Sequence, residues 1–214
     1  MSAITTKEEI LKAVNQCLEE KGKRKFTQSV ELIVNFKGID FSKQENRLNI
    51  EVSFPEGRGK EIKTVVFANE PLASEARKAG ANLVITGDEI LNYDKKKIKE
   101  LTKNSVFLAQ PQLMVTIGKN FGQILGSKGK LPTVVTKDIA SAVNNAKNTI
   151  KIKSKGKYLP TIHCPVGSEK MTPESITENI FSVLSALKEK VGDAAFRSIF
   201  IKLSMSKPVK LSGS

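Results

Sequence analysis

The chain has 214 residues, 39% hydrophobic and 27% charged, which is a globular composition and enough length for one large domain or two small ones. Its 35 basic side chains against 22 acidic ones leave a net charge of +13, so the expected partners are polyanions, nucleic acid ahead of acidic membranes. No run of about 18 apolar residues exists for a membrane span, no apolar segment follows a basic N-terminus, and Cys17 and Cys164 make no disulfide framework, so a reduced, cytoplasmic protein is expected.

Thr6 followed by Glu9 forms a capping box. Ile10, Leu11, Val14 and Leu18 then share one helical face, predicting a helix over residues 7–21 that Gly22 stops. A basic run over residues 21–25 follows. Residues 29–36 alternate, with Val30, Leu32, Val34 and Phe36 opposing Ser29, Glu31, Ile33 and Asn35. Residues 47–54 alternate in the same way, Leu48, Ile50, Val52 and Phe54 against Asn49, Glu51 and Ser53. Period two over this length predicts half-buried, antiparallel strands. Residues 55–60 are a turn-rich basic loop.

The pattern changes after residue 61. Residues 62–67 are an apolar, β-branched strand, Asn69-Glu70-Pro71 starts a helix that Gly80 ends, and residues 82–86 are a second apolar strand. A Lys-rich helix over 94–103, a strand over 106–109, and helical stretches near 111–117, 120–125 and 138–146 complete the block. Short strands alternating with helices predict βαβ units on a parallel sheet.

The antiparallel style then returns. Residues 149–153 and 158–166 read as strands, and Thr172-Pro173 opens a helix with Ile176, Ile180, Leu184, Leu187 and Val191 on its core side. Residues 198–205 alternate, placing Ile199, Ile201, Leu203 and Met205 opposite Ser198, Phe200, Lys202 and Ser204. The fold class is therefore α/β and α+β in two domains. Residues 1–67 and 153–214 form a discontinuous α+β domain from both chain ends, and residues 68–152 an inserted, Rossmann-like βαβ domain.

Residues 122–130, GQILGSKGK, resemble a phosphate loop only superficially, because the spacing G-x-x-x-x-G-K-[ST] is not met. A flexible basic loop is the plainer reading. His163 and Cys164 are adjacent on a predicted strand and point to opposite faces, a poor chelate, so structural roles are expected for both, with no metal and no cofactor. No G-x-S-x-G elbow surrounds a serine, and the carboxylates share their faces with lysines as solvated surface does. An enzyme acting on a nucleotide or phosphorylated substrate would need the phosphate loop that is missing.

Charge alone does not locate a nucleic-acid surface. Residues 68–152 carry 13 basic and 7 acidic side chains, net +6, and the remainder carries +7. The terminal domain offers a more specific combination. Its basic run leads into Phe26 and then to the polar strand face of Ser29 and Glu31, mixing phosphate-binding charge, an aromatic, a hydroxyl and an acceptor. That mixture suits folded RNA, whose 2′-hydroxyls and base edges need donors and acceptors. A sheet edge with Phe26 in the core accounts for the same residues.

Residues 25–32, KFTQSVEL, followed by Gly38-Ile39-Asp40, resemble the opening segment of the ribosomal protein L-one family. Residues 114–119, MVTIGK, through 125–132, LGSKGKLP, are similar to that family's signature, and Ile162-His163-Cys164-Pro165-Val166-Gly167 resembles a third family segment. Ser204-Met205-Ser206 stands where the family usually has Thr-Met-Gly. The lysine-rich character is archaeal or eukaryotic in style. The resemblance implies a two-domain, discontinuous fold and a non-enzymatic structural protein at the mobile stalk of the large ribosomal subunit. It implies RNA contacts for Lys25, Phe26, Ser29, Glu31, Ser198, Ser204, Met205 and Ser206. Lys25 would meet phosphate, and Glu31 would accept from ribose or guanine. The serines would bond ribose or phosphate oxygens, Phe26 and Met205 would pack, and the Cβ of Ser206 would narrow the approach of backbone to RNA. The implied partners are large-subunit ribosomal RNA, the protein's own messenger RNA in translational repression, and transfer RNA at the exit site. No membrane is implied, and the free protein is expected to be a monomer.

Overall fold

The computed structural model describes residues 6–136, 138–154 and 159–211. The chain divides into two units, one made of residues 1–60 and 148–214, the other of residues 61–147. The crossings expected from sequence lie at 67/68 and 152/153, and the strand pairing moves both. The strand leading into the insert pairs in parallel with the insert's own strands, and the strand leading out pairs with one from the N-terminal segment. A strand pattern identifies a strand but not the sheet it joins.

In the first unit, α1 (Lys7–Leu18) carries the expected capping box: Thr6 Oγ1 accepts the Glu9 N–H at 3.3 Å, and the Glu9 carboxylate accepts the Thr6 N–H at 2.9 Å. β1 (Ser29–Phe36) follows, then β2 (Asn49–Ser53). In the second unit the order is β3 (Lys63–Phe67), α2 (Leu72–Lys78), β4 (Leu83–Ile85), α3 (Gly87–Asn92), α4 (Lys95–Leu101), β5 (Ser105–Ala109), α5 (Met114–Ser127), β6 (Thr133–Val134) and α6 (Ile139–Asn148). The chain re-enters the first unit through β7 (Thr149–Lys153), β8 (Thr161–Ser168), α7 (Pro173–Val191), β9 (Phe196–Leu203) and β10 (Val209–Lys210). Residues 155–158, the last of which opens the strand expected over 158–166, lie outside the described residues.

The second unit has a parallel sheet in the order β4-β3-β5-β6. Alternate residues of β3 serve two cores. Val65 and Phe67 pack with Ile90, Ile98, Ile117 and Phe121 from α3, α4 and α5; Val66 and Ala68 pack with Ala73, Ala76, Ile139 and Val143 from α2 and α6. Helices therefore cover both faces, as a parallel sheet requires. The helical stretches expected near 111–117 and 120–125 merge into one helix, α5, which follows a 3-10 turn at Pro111–Leu113 and runs through Gly118, Gly122 and Gly126. Ile117, Phe121 and Leu125 recur every four residues and are buried, and that packing overrides three poor helix formers. The glycine-rich segment is thus helical to Ser127, and only its end is a turn.

The first unit has an antiparallel sheet in the order β10-β9-β1-β8, plus the β2-β7 pair. Val30, Leu32, Val34 and Phe36 of β1 are buried with Ile10 and Val14 of α1 and Ile176, Ile180, Val183 and Leu187 of α7. The two helices take one face of the sheet, and the opposite face of β1 stays half-exposed. At the β8 edge a register shift sets Val30 opposite Gly167 but Glu31 opposite Pro165, a bulge beside the Glu31 end of that open face.

Candidate nucleic-acid interface

The open face is built by register. Glu31 on β1 stands opposite Lys202 on β9 and Pro165 on β8, Ile33 opposite Phe200 and His163, and Asn35 opposite Ser198 and Thr161. The face therefore has a charged end, an apolar middle and an uncharged polar end.

The charged end holds the densest bonding. Ser204 follows β9 in a turn, and its Oγ donates to Glu31 Oε1 at 3.2 Å while accepting the Ser29 N–H at 3.3 Å. The other carboxylate oxygen, Oε2, lies 2.7 Å from His163 Nε2. A carboxylate only accepts, so Nε2 carries the hydrogen. Lys60, from the loop after β2, donates to Ser29 Oγ at 2.7 Å.

A buried bridge holds the turn. Gln28 is 2% exposed, and its Oε1 accepts the Met205 N–H at 3.1 Å. Glu169 accepts the Gln28 N–H at 2.9 Å and the Gly22 N–H at 3.3 Å. Those bonds, the Gln28 N–H first, hold the Glu169 carboxyl below the usual carboxylate range. The chain entering β1 and the turn leaving β9 are thus tied together from beneath, which leaves the Met205 side chain outside, 59% exposed.

Ser29, Glu31, Ser204 and Met205 come together as one surface. Met205 does not continue the apolar side of β9, because the strand stops at Leu203. Phe26 is 54% exposed, which removes the reading that placed it in the core, and Lys25 beside it is exposed. Ser206 is turned inward. Its Oγ accepts the Leu203 N–H at 2.8 Å and so closes the turn. Ser198 is on the same face but six residues back along β9, about 20 Å away at ~3.3 Å per residue, where its Oγ accepts from Asn35 Nδ2 at 2.9 Å.

Four residues at this surface were missed from sequence: Lys60, His163, Gln28 and Glu169. His163, for which a structural role is expected, lies on the open face, and the alternation of Ile162, Cys164 and Val166 toward the core carries that signal. Both cysteines are buried, and burial pushes Cys17 up to about 11 and Cys164 up to about 12, so neither thiol is a nucleophile at neutral pH. Among the described residues no helix is long and apolar enough to cross a membrane, and no three acidic, Cys or His side chains group as metal ligands would.

Residues 17–207 match the model of the "Ribosomal protein L1p/L10e family". The chain belongs to the ribosomal protein L1 family. It is similar to "Large ribosomal subunit protein uL1" of Thermoplasma acidophilum, 37% identical over 95% of this chain and 95% of that one. It is likewise similar to the proteins of that name in Methanocella arvoryzae, 38% identical over 96% and 99%, and Pyrococcus abyssi, 36% identical over 97% of each. The family is one of large-subunit ribosomal proteins that bind ribosomal RNA, and it is not enzymatic. The matched span contains every candidate residue from Lys25 to Ser206.

Proposed function

We propose that this protein is a structural constituent of the large ribosomal subunit and binds ribosomal RNA through the charged end of the open sheet face in its first unit. Family membership supports the ribosomal assignment. The observation that carries the surface is the joining of Glu31 to Ser204, with Met205 exposed beside them and Lys60 bound to Ser29. This patch offers what folded RNA needs: fixed acceptors and hydroxyls for 2′-hydroxyls and base edges, exposed apolar groups to pack on sugar or base, and lysines for phosphate. Lys25 and Lys60 contact phosphate, Ser29, Glu31 and Ser204 read ribose and base, and Phe26 and Met205 pack. Ser206 shapes the turn, and Ser198 serves a separate, peripheral contact with Asn35. The same resemblance supports a position at the mobile stalk near the transfer RNA exit site, repression of translation through the protein's own messenger RNA, and a cytoplasmic monomer when free of the ribosome.

The test is binding to a ribosomal stalk RNA fragment across a salt series. Glu31→Gln removes a negative charge, so a purely electrostatic surface would bind tighter. The expected outcome is the reverse, a loss of about 1–3 kcal/mol, because RNA donors lose a charged acceptor in a partly dehydrated site. Met205→Ala is expected to weaken binding with little change in salt slope. Tighter binding by Glu31→Gln at every salt concentration, with Met205→Ala neutral, would put the surface elsewhere.

A further inference from the structure

Lys60 reaches Ser29 from a loop that is engaged at each residue from 56 to 59. The Glu56 carboxylate accepts from Ser175 Oγ at 3.1 Å. The Gly57 carbonyl accepts from Asn179 Nδ2 at 2.8 Å, and the same amide group donates to the Val166 carbonyl at 3.0 Å. Arg58 Nη1 donates to the Thr149 carbonyl at 3.3 Å. Gly59 has a φ of +64°, which side chains rarely adopt, and a Cβ there would run into Met171 and Ser168. Resting on the RNA-binding reading above, we infer that Asn179 and Gly59 are positioning residues for RNA binding: acting through the loop over residues 54–60, they set the Lys60 ammonium at the surface before RNA arrives.

Packing alone does not account for Asn179. It is 0% exposed on α7, whose other buried residues include Ile176, Ile180, Val183 and Leu187, and an apolar side chain would serve there as it does at those positions. Its Oδ1 is buried with no hydrogen-bond partner among the described residues, a cost that an apolar residue would not carry. What the amide does is spend its two N–H donors on two irregular stretches of backbone. Val166 is the β8 residue that the register shift beside Glu31 leaves without a partner on β1, and Gly57 belongs to the loop that carries Lys60. One buried side chain therefore joins the bulge next to Glu31 to the loop that bears Lys60, the two backbone features that shape this end of the open face.

Position matters more for this group than for most. A lysine carries a compact charge on a long, flexible stem, and ordering it on binding is costly. Backbone fixed at Gly59 and an ammonium already bonded to Ser29 Oγ at 2.7 Å leave less freedom to lose when a phosphate is engaged.

The experiment measures binding of the full-length protein to the stalk RNA fragment across a salt series, with folding checked by circular dichroism. Lys60→Ala, Asn179→Ala and Gly59→Ala are compared singly, and the last two are each combined with Lys60→Ala. Asn179→Ala and Gly59→Ala are each expected to lower the slope of log affinity against log salt by about 0.7–0.9, the amount for one phosphate contact. Combined with Lys60→Ala, each is expected to bind within about twofold of Lys60→Ala alone, because all three remove the same contact. A merely structural role would reduce the fraction of active protein and leave the slope of the folded molecules unchanged. Gly59 is exposed, so Gly59→Ala carries the test if Asn179→Ala unfolds. A wild-type slope in the folded variants, or losses that add to that of Lys60→Ala, overturns the inference. If Lys60→Ala leaves the slope unchanged while Glu31→Gln and Met205→Ala weaken binding, the loop serves no phosphate contact and only this inference falls. If all of them are without effect, the RNA surface itself is misplaced.

Discussion

Ser204 and Glu31 lie 173 positions apart in sequence and share a hydrogen bond of 3.2 Å on the surface of one sheet. The bond needs β1 and β9 paired in a single register, with Val30 opposite Leu203 and Glu31 opposite Lys202. A one-residue slip would turn Glu31 into the core and Val30 outward. The core and the surface therefore specify the same register, and a recognition group is as well placed as the apolar residue next to it.

Lysine contacts should be separable from the rest of the surface. Lys25→Ala and Lys60→Ala are each expected to lower the slope of log affinity against log salt by about 0.7–0.9, the amount for one phosphate contact. A binding assay from 50 to 300 mM salt measures it. Lys60→Ala with an unchanged slope would mean that its amine serves Ser29 alone.

Glu169 provides a pH-dependent support for the turn. Its carboxyl is held low in the folded protein by the N–H groups of Gln28 and Gly22, so its stabilisation is present above the unfolded carboxylate's pKa, about 4.3, and is lost as pH falls through the folded value. Glu169→Gln should unfold at lower urea than wild type at pH 7, and the gap should close toward pH 3. A gap that stays constant over that range would show that the carboxylate's charge is irrelevant.

Helix α5 should be improvable. A Cβ at Gly118 or Gly122 would meet nothing within 4 Å, and neither glycine needs a left-handed backbone. Gly118→Ala and Gly122→Ala are each expected to stabilise the second unit by about 0.5–1 kcal/mol, the helix-interior cost of glycine. Denaturant unfolding reads the change, and a loss of stability would reveal a contact on that helix face.

The first unit should fold and bind without the second. Arg58 Nη1 donates to the Thr149 carbonyl at 3.3 Å, so the chain leaves and re-enters this unit at neighbouring points. Replacing residues 61–147 by a short Gly/Ser linker should leave a folded protein by circular dichroism that still binds the RNA fragment. A folded variant without binding would move recognition to the other unit.

Much of this was legible from residues alone, and the failures have physical causes. Alternation in residues 29–36 fixed which side chains of β1 face out, and Thr6 with Glu9 fixed the start of α1, since both are local devices. The gap expected between residues 117 and 120 closes because propensity is local, whereas the burial of Ile117, Phe121 and Leu125 that carries the helix through is tertiary. The partnership of His163 with Glu31 depends on β8 pairing with β1 across more than a hundred residues, and no periodicity encodes a partner. Gln28 escaped for the same reason, since its bonds to Glu169 and Met205 reach the far end of the chain.

The pairing of β1 with strands from the other end also sets an order in time. During synthesis β1 is made long before β8 and β9, and the 61–147 segment that separates them contains all of its own sheet and helices. At roughly 5–20 residues per second, the apolar side of β1 waits on the order of ten seconds for its neighbours. The inserted unit can complete its fold in that interval, and the first unit cannot. The surface bearing Glu31 comes into being only once Ser204 has been made, so a growing chain cannot engage RNA through it early.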